Sequence, residues 1–212
     1  MRTIMVINAK GGCGKTTLST NIAGFYANKG QNVAIADFDP QGSSLDWLKA
    51  RPEDRAPITG IAAYEGNVRA PKNTDTLVLD VPAAVHGKTL TQLVRRAESL
   101  VIPVLPSPID MRACAHFIEE LLLVGKVNRE EVKLAVVANR VKENTLIFHT
   151  LEKFLKRLKI PRIATLRDTQ NYIRAAERGL SIFEMAPSAV EHDLEQWKSL
   201  TRWLNSKRSI AQ

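Results

Sequence analysis

The chain has 212 residues, 44% of them apolar, two cysteines, and a formal net charge of +8. That size suits one domain with an ample core, expected to span 1–212. No apolar run reaches the ~18–20 residues that cross a bilayer, and Cys13 and Cys114 make neither a disulfide framework nor a metal cluster. The charge is uneven. Residues 1–125 hold 13 Lys/Arg against 12 Asp/Glu, whereas residues 126–212 hold 17 against 10. A basic C-terminal third points to a polyanion, either nucleic acid or an anionic membrane.

Thr3-Ile4-Met5-Val6-Ile7-Asn8 reads as a buried strand, and Leu18, Ile22 and Phe25 recur at helical spacing after it. Between them stands Lys10-Gly11-Gly12-Cys13-Gly14-Lys15-Thr16-Thr17. Strand, glycine-rich turn and helix are the context a phosphate-binding loop requires. Glycines let backbone N–H groups close round an anion, and the new helix adds its own unpaired N–H groups and dipole. Lys15 is placed to reach the β- and γ-phosphates, and the Thr16 hydroxyl to ligate Mg²⁺. One departure from the general loop is Ala9, where a glycine is usual, with a second lysine, Lys10, beside it.

Gly30 ends the first helix. Val33-Ala34-Ile35-Ala36 is a second strand, delivering Asp37-Phe38-Asp39-Pro40-Gln41-Gly42 at its carboxyl end, where open α/β sheets bind ligands. Asp37 and Asp39 are candidates to hold Mg²⁺ or position water. A short helix carries Leu45, Trp47 and Leu48, the stretch 51–57 is loop, and 58–64 reads as a short strand. Thr76-Leu77-Val78-Leu79-Asp80 is a third buried strand ending in an acid, the pattern whose carboxylate supports Mg²⁺ directly or through water. A helix over 88–97, a strand over 100–105 and a helix over about 109–124 follow. Val132 to Ala138 is then a strand with Asn139-Arg140 at its tip. Leu151, Phe154, Leu155 and Leu158 form one helical face opposite Lys153, Lys156, Arg157 and Lys159. Residues 160–168 are a short strand and loop, and the last helix, about 188–206, carries Leu194, Trp197, Leu200, Trp203 and Leu204. Strands alternating with helices predict an α/β fold, a mostly parallel twisted sheet with helices on both faces.

Lys10-Gly-Gly-Cys-Gly-Lys15-Thr-Thr resembles the deviant phosphate loop of the ParA/MinD ATPases, and Asp37-Phe38-Asp39-Pro40-Gln41-Gly42 closely resembles the ParA family's second motif. Asp80-Val81-Pro82-Ala83 and the run from Ala175 to Glu184 are similar to further family segments. The resemblance covers nearly the whole chain, and it implies the following. ATP and Mg²⁺ are the cofactors, with Gly11, Gly12, Cys13, Gly14, Lys15, Thr16 and Thr17 round the phosphates. Asn139 and Arg140 meet adenine, Thr16, Asp37 and Asp80 serve the metal, and Asp39 orients water. Lys10 crosses an interface to the partner's ATP in a sandwich homodimer. Such a protein is a slow ATPase that coats nonspecific double-stranded DNA on the nucleoid, in the cytoplasm. It releases when an adaptor, ParB-like or McdB-like, stimulates hydrolysis. Its cargo is a plasmid, a chromosome origin, a protein cluster or a microcompartment such as a carboxysome. Arg167, Arg174, Arg178 and Arg202 are the candidate DNA contacts.

The chain is short for a ParA and shows no helix-turn-helix extension. A MinD-like ATPase using the last helix as a membrane anchor is the alternative, with Trp197, Lys198, Arg202, Trp203, Lys207 and Arg208 as its materials. Simple docking of that helix onto the sheet accounts for the same apolar residues, so no stable membrane association is expected. A nitrogenase-type reductase lacks its cluster cysteines here, and the DPQG string argues against a metabolic ligase such as dethiobiotin synthetase.

Overall fold

The computed structural model describes residues 1–66, 68–83, 85–123, 132–158 and 160–210. Its strands are β1 (Arg2–Val6), β2 (Val33–Asp37), β3 (Ile58–Ala62), β4 (Thr76–Asp80), β5 (Ser99–Val104), β6 (Lys133–Val141) and β7 (Arg162–Arg167). Among the described residues the helices are α1 (Lys15–Ala27), α2 (Ser43–Lys49), α3 (Gly87–Val94), α4 (Pro108–Leu123), α5 (Leu146–Arg157), α6 (Asn171–Glu177) and α7 (Pro187–Leu204). The strands form one sheet in the order β3-β2-β4-β1-β5-β6-β7, and every pairing is parallel.

A parallel sheet covered on both faces needs strands that are apolar on both sides. The central strands meet this, since β2, β4 and β5 are buried along their whole length. The two-residue period then splits the core into two layers. Ile4 and Val6 pack with Leu18, Ile22, Trp197 and Leu200 under α1 and α7. Met5 and Ile7 pack with Leu90, Phe117, Leu121 and Leu151 under α3, α4 and α5. Trp197 is fully buried in the first layer, so the last helix docks on the sheet through its apolar stripe.

Three local readings shift. The segment read as a strand over 58–64 ends at Ala62 and turns through a 3₁₀ helix at Ala63–Glu65. The helix expected over 88–97 is shorter, Gly87–Val94. Asn139 and Arg140 do not cap β6 but lie within it, because the register slips between Ala138 and Val141 and lets the strand run on. The expected end of α4 at Val124 and the cation Lys159 lie outside the described residues. β1 sits between β4 and β5; the chain runs from β1 toward the β3 edge, and from β4 it crosses β1 to build toward the β7 edge. The crevice at the carboxyl ends of such strands is where open α/β sheets take ligands.

Candidate nucleotide-binding site

A cleft of about 440 Å³ opens at that crevice. Gly11, Gly12, Gly14, Lys15, Thr16 and Thr17 line one side; Asp39, Asp80, Val81 and Ala83 line the floor; Asn139, Arg140, Arg167, Asp168, Thr169, Tyr172 and Ile173 line the far wall. Four strand ends and the start of α1 therefore converge on one cavity.

The loop's geometry explains its glycines. Gly14 caps α1 with φ 95°, a left-handed backbone that side chains resist. A Cβ there would also sit 2.3 Å from Asn139 Nδ2. That amide donates to the Cys13 carbonyl at 2.8 Å, so Asn139 braces the loop from the neighbouring strand. Cys13 itself is buried, and its thiol donates to the Lys10 carbonyl at 3.2 Å. Its side chain supports the loop's shape and does not face the cleft. Lys15 Nζ curls back to the same carbonyl at 3.0 Å. Lys10, like Cys13, is not among the residues lining the cleft.

Asp80 is 3% exposed and accepts a hydrogen bond from Ser19 Oγ at 3.1 Å. Burial pushes its carboxyl up to about 7, against the lowering effect of the Thr16 hydroxyl and with a further push from Asp37. Thr16, Asp80 and Asp39 offer hard oxygen donors beside a phosphate loop, which suits Mg²⁺. No group of three or more His, Cys, Asp or Glu that could hold a metal occurs among the described residues. The carboxyl carries a testable consequence for the metal-free protein. Its raised value favours the protonated form in the fold, so this contribution is full below about pH 4 and is lost as pH rises through about 7. The loss should be on the order of 4 kcal/mol. Thermal melts of wild type and Asp80→Asn across that window should diverge accordingly, with the wild type losing ground toward pH 8; parallel curves would refute it.

Asp37 is fully buried and stands in register beside Asp80 on the neighbouring strand. Its Oδ2 accepts from Ser44 N at 3.0 Å and Ser44 Oγ at 2.7 Å, and its Oδ1 from Asp39 N at 2.9 Å. Those bonds hold Asp37 in one orientation and tie the backbone of Asp39 to it. Arg167 faces the cleft wall, with Nε 2.5 Å from Asp193 Oδ1 and Nη2 3.1 Å from Asp193 Oδ2. Arg174, Arg178 and Arg202 are exposed.

Sequence reasoning names Asn139, Arg140 and Arg167 of the far wall and misses Asp168, Thr169, Tyr172 and Ile173. Arg140 has φ 52°, the sole positive φ outside glycine among the described residues. Its Nε lies 3.5 Å from Asp168 Oδ1, and both residues line the cleft. Backbone strain of this kind gathers at ligand clamps. Tyr172, Ile173 and Thr169 complete the wall. Their place just after the carboxyl end of β7 is the signal that marks them.

Comparisons with known proteins agree with this geometry. Residues 4–182 match the family model described as the CobQ/CobB/MinD/ParA nucleotide binding domain. The chain is 32% identical over 191 residues to the maintenance of carboxysome distribution protein A of Halothiobacillus neapolitanus, covering 86% of this chain and 87% of that one. In fold it resembles the MinD cell division protein of Aquifex aeolicus, with TM-score 0.74, 19% identity and 98% of each chain covered. It also resembles a McdA variant of Cyanothece in complex with ATP, with TM-score 0.70, 15% identity and coverage of 95% and 96%. A phosphate loop, an acid at the end of β4 and a family match across most of the chain converge, and the chain belongs to the CobQ/CobB/MinD/ParA nucleotide-binding family.

Proposed function

We propose that this chain is an ATP-dependent dimerising ATPase that binds double-stranded DNA without sequence preference and positions a cargo, in the cytoplasm and on the nucleoid. The observation that carries the reading is Lys10. It belongs to the phosphate loop yet is not among the residues lining that loop's own cleft. A lysine so placed is suited to a second copy's triphosphate, where two γ-phosphates would face each other and need compensating charge. Mg²⁺, when bound through Thr16 and Asp80, neutralises phosphate charge. Lys15 and the loop N–H groups hold the phosphates, and Asp39, fixed by Asp37, orients water in line. The resemblance to a carboxysome distribution protein favours a protein microcompartment as cargo, with a McdB-like or ParB-like adaptor as the stimulating partner.

Exposed Arg174, Arg178 and Arg202 on and after α6 and α7 support a DNA-facing surface. The membrane reading is weaker, because α7 buries Val190, Trp197, Leu200 and Leu204 in the core. No described helix is long and apolar enough to cross a membrane. The test joins light scattering with DNA and liposome co-sedimentation. ATP should dimerise the wild type, and Lys10→Ala should bind ATP but stay monomeric. DNA binding should need ATP and lose roughly 10³–10⁵ in affinity between about 50 and 200 mM salt for ~6–10 phosphates neutralised. A Lys10→Ala protein that dimerises like wild type, or equal DNA binding in ADP and ATP, would sink the reading.

A further inference from the structure

The cleft's far wall and α7 are tied by side chains at three positions on one helical face. Asp193, on α7 and fully buried, holds Arg167 through two guanidinium bonds and accepts a third from Asn171 Nδ2 at 2.7 Å. Gln196 Oε1 accepts from the Arg167 backbone N–H at 2.8 Å. Trp197 Nε1 donates to the Tyr172 hydroxyl at 2.9 Å. Arg167 and Tyr172 both line the cleft. Positions 193, 196 and 197 share one side of a helix. The outward side carries Glu195, Lys198 and Arg202.

The energetics make this link stiff. Removing Arg167 from Asp193 would leave a buried carboxylate without its counter-charge, among the costliest changes a fold can suffer. A ligand that shifts Arg167 therefore shifts α7 with it. We propose that Asp193 is a positioning residue for the nucleotide cleft, and that α7 carries occupancy of the cleft's nucleoside end to its outward face. The inference rests on the reading that the cleft takes ATP. It adds that α7 senses the nucleoside, not the γ-phosphate. ADP and ATP should then act on α7 alike, and a bare phosphate chain should not.

Hydrogen exchange of residues 190–204 tests this, read beside calorimetric binding of ADP, ATP and inorganic tripolyphosphate. In the wild type, ADP and ATP should each slow exchange in α7 by about ten-fold, and tripolyphosphate should leave it unchanged. Asp193→Asn should weaken ADP and ATP by a similar factor, about ten-fold, and abolish the slowing. Should Asp193→Asn fail to fold, Tyr172→Phe and Gln196→Ala each cut one link, and each should shrink the slowing. An α7 indifferent to bound ADP, or a response to tripolyphosphate equal to that for ADP, would overturn the coupling alone. So would unaltered affinity and response in Asp193→Asn, or in both single-link variants. Failure of ADP and ATP to bind at all would overturn the nucleotide reading with it.

Discussion

Replacing Asp39 with alanine should slow single-turnover ATP hydrolysis by roughly 10²–10⁴ while nucleotide affinity stays within a few-fold of wild type. The geometry separates the two properties. Asp39 lines the cleft, but the phosphate loop is braced elsewhere, by Asn139 on Cys13 and by Ser19 and Thr16 round Asp80. Asp39 is itself held on a turn, its amide donating to Asp37 and its Oδ1 accepting from Gln41 N at 3.0 Å. Phosphoryl transfer needs an in-line water and charge compensation more than covalent help. An acid that orients water is therefore removable without opening the phosphate site. The variant should accumulate as the ATP-bound dimer and stay on DNA. Asp37→Ala gives the sharper comparison. It should also slow hydrolysis, because Asp39 loses its anchor, and it should cost stability as well, because Ser44 N–H loses a buried acceptor. Unchanged hydrolysis in Asp39→Ala, or lost ATP affinity with no trapped dimer, removes Asp39 from this role.

What could be read from sequence was what lies close together in the chain. The phosphate loop spans eight consecutive positions, Lys10 to Thr17, and its glycines answer to backbone constraints set within that span. Strands β2 and β4 announce themselves as apolar runs ending in acid, and alternation with helices gives the parallel sheet. What stays hidden is contact with a distant partner. Asp37 and Asp39 stand two positions apart as acids, and only the fold brings Ser44 onto Asp37. Arg167 looks like any basic residue until Asp193, 26 positions on, is found against it. The bulge that admits Asn139 to the back of the loop is likewise invisible, since it arises from the pairing of β6 with β7. The run from Ala175 to Glu184 resembles a family motif, and its placement makes it a structural joint.

That joint predicts the largest stability effect. Arg51 and Glu184 have side chains only 5% and 1% exposed and meet through two bonds, at 2.5 and 3.0 Å. The remaining donors and acceptors are also used. Arg51 donates to the carbonyls of Ala56 and Gly179, and Glu184 accepts from Ser181 N and Ser181 Oγ in a capping box. Space is equally tight: a Cβ on Gly179 would lie 2.3 Å from Arg51 N, and one on Gly24 would lie 2.4 Å from Ser181 Cβ. The joint therefore clamps α1, whose first turn belongs to the phosphate loop, to the segment that leads into α7. Burial alone would raise the Glu184 carboxyl, but its bonds to Arg51 and Ser181 outweigh that and hold it below the ordinary value. Its contribution is present above about pH 4.5 and is lost as pH falls through the lowered value. Glu184→Ala leaves a buried guanidinium uncompensated, which should cost about 3–5 kcal/mol at neutral pH, or roughly 6–20 °C in Tm for a chain of this size. Pairing it with Arg51→Leu should cost less than the sum of the two single changes, because no charge is then left alone. Calorimetric melts of the two single variants and the double variant decide it. Additive losses, or a Glu184→Ala melt within about 2 °C of wild type, would mean the pair carries no such strain-relieving charge balance.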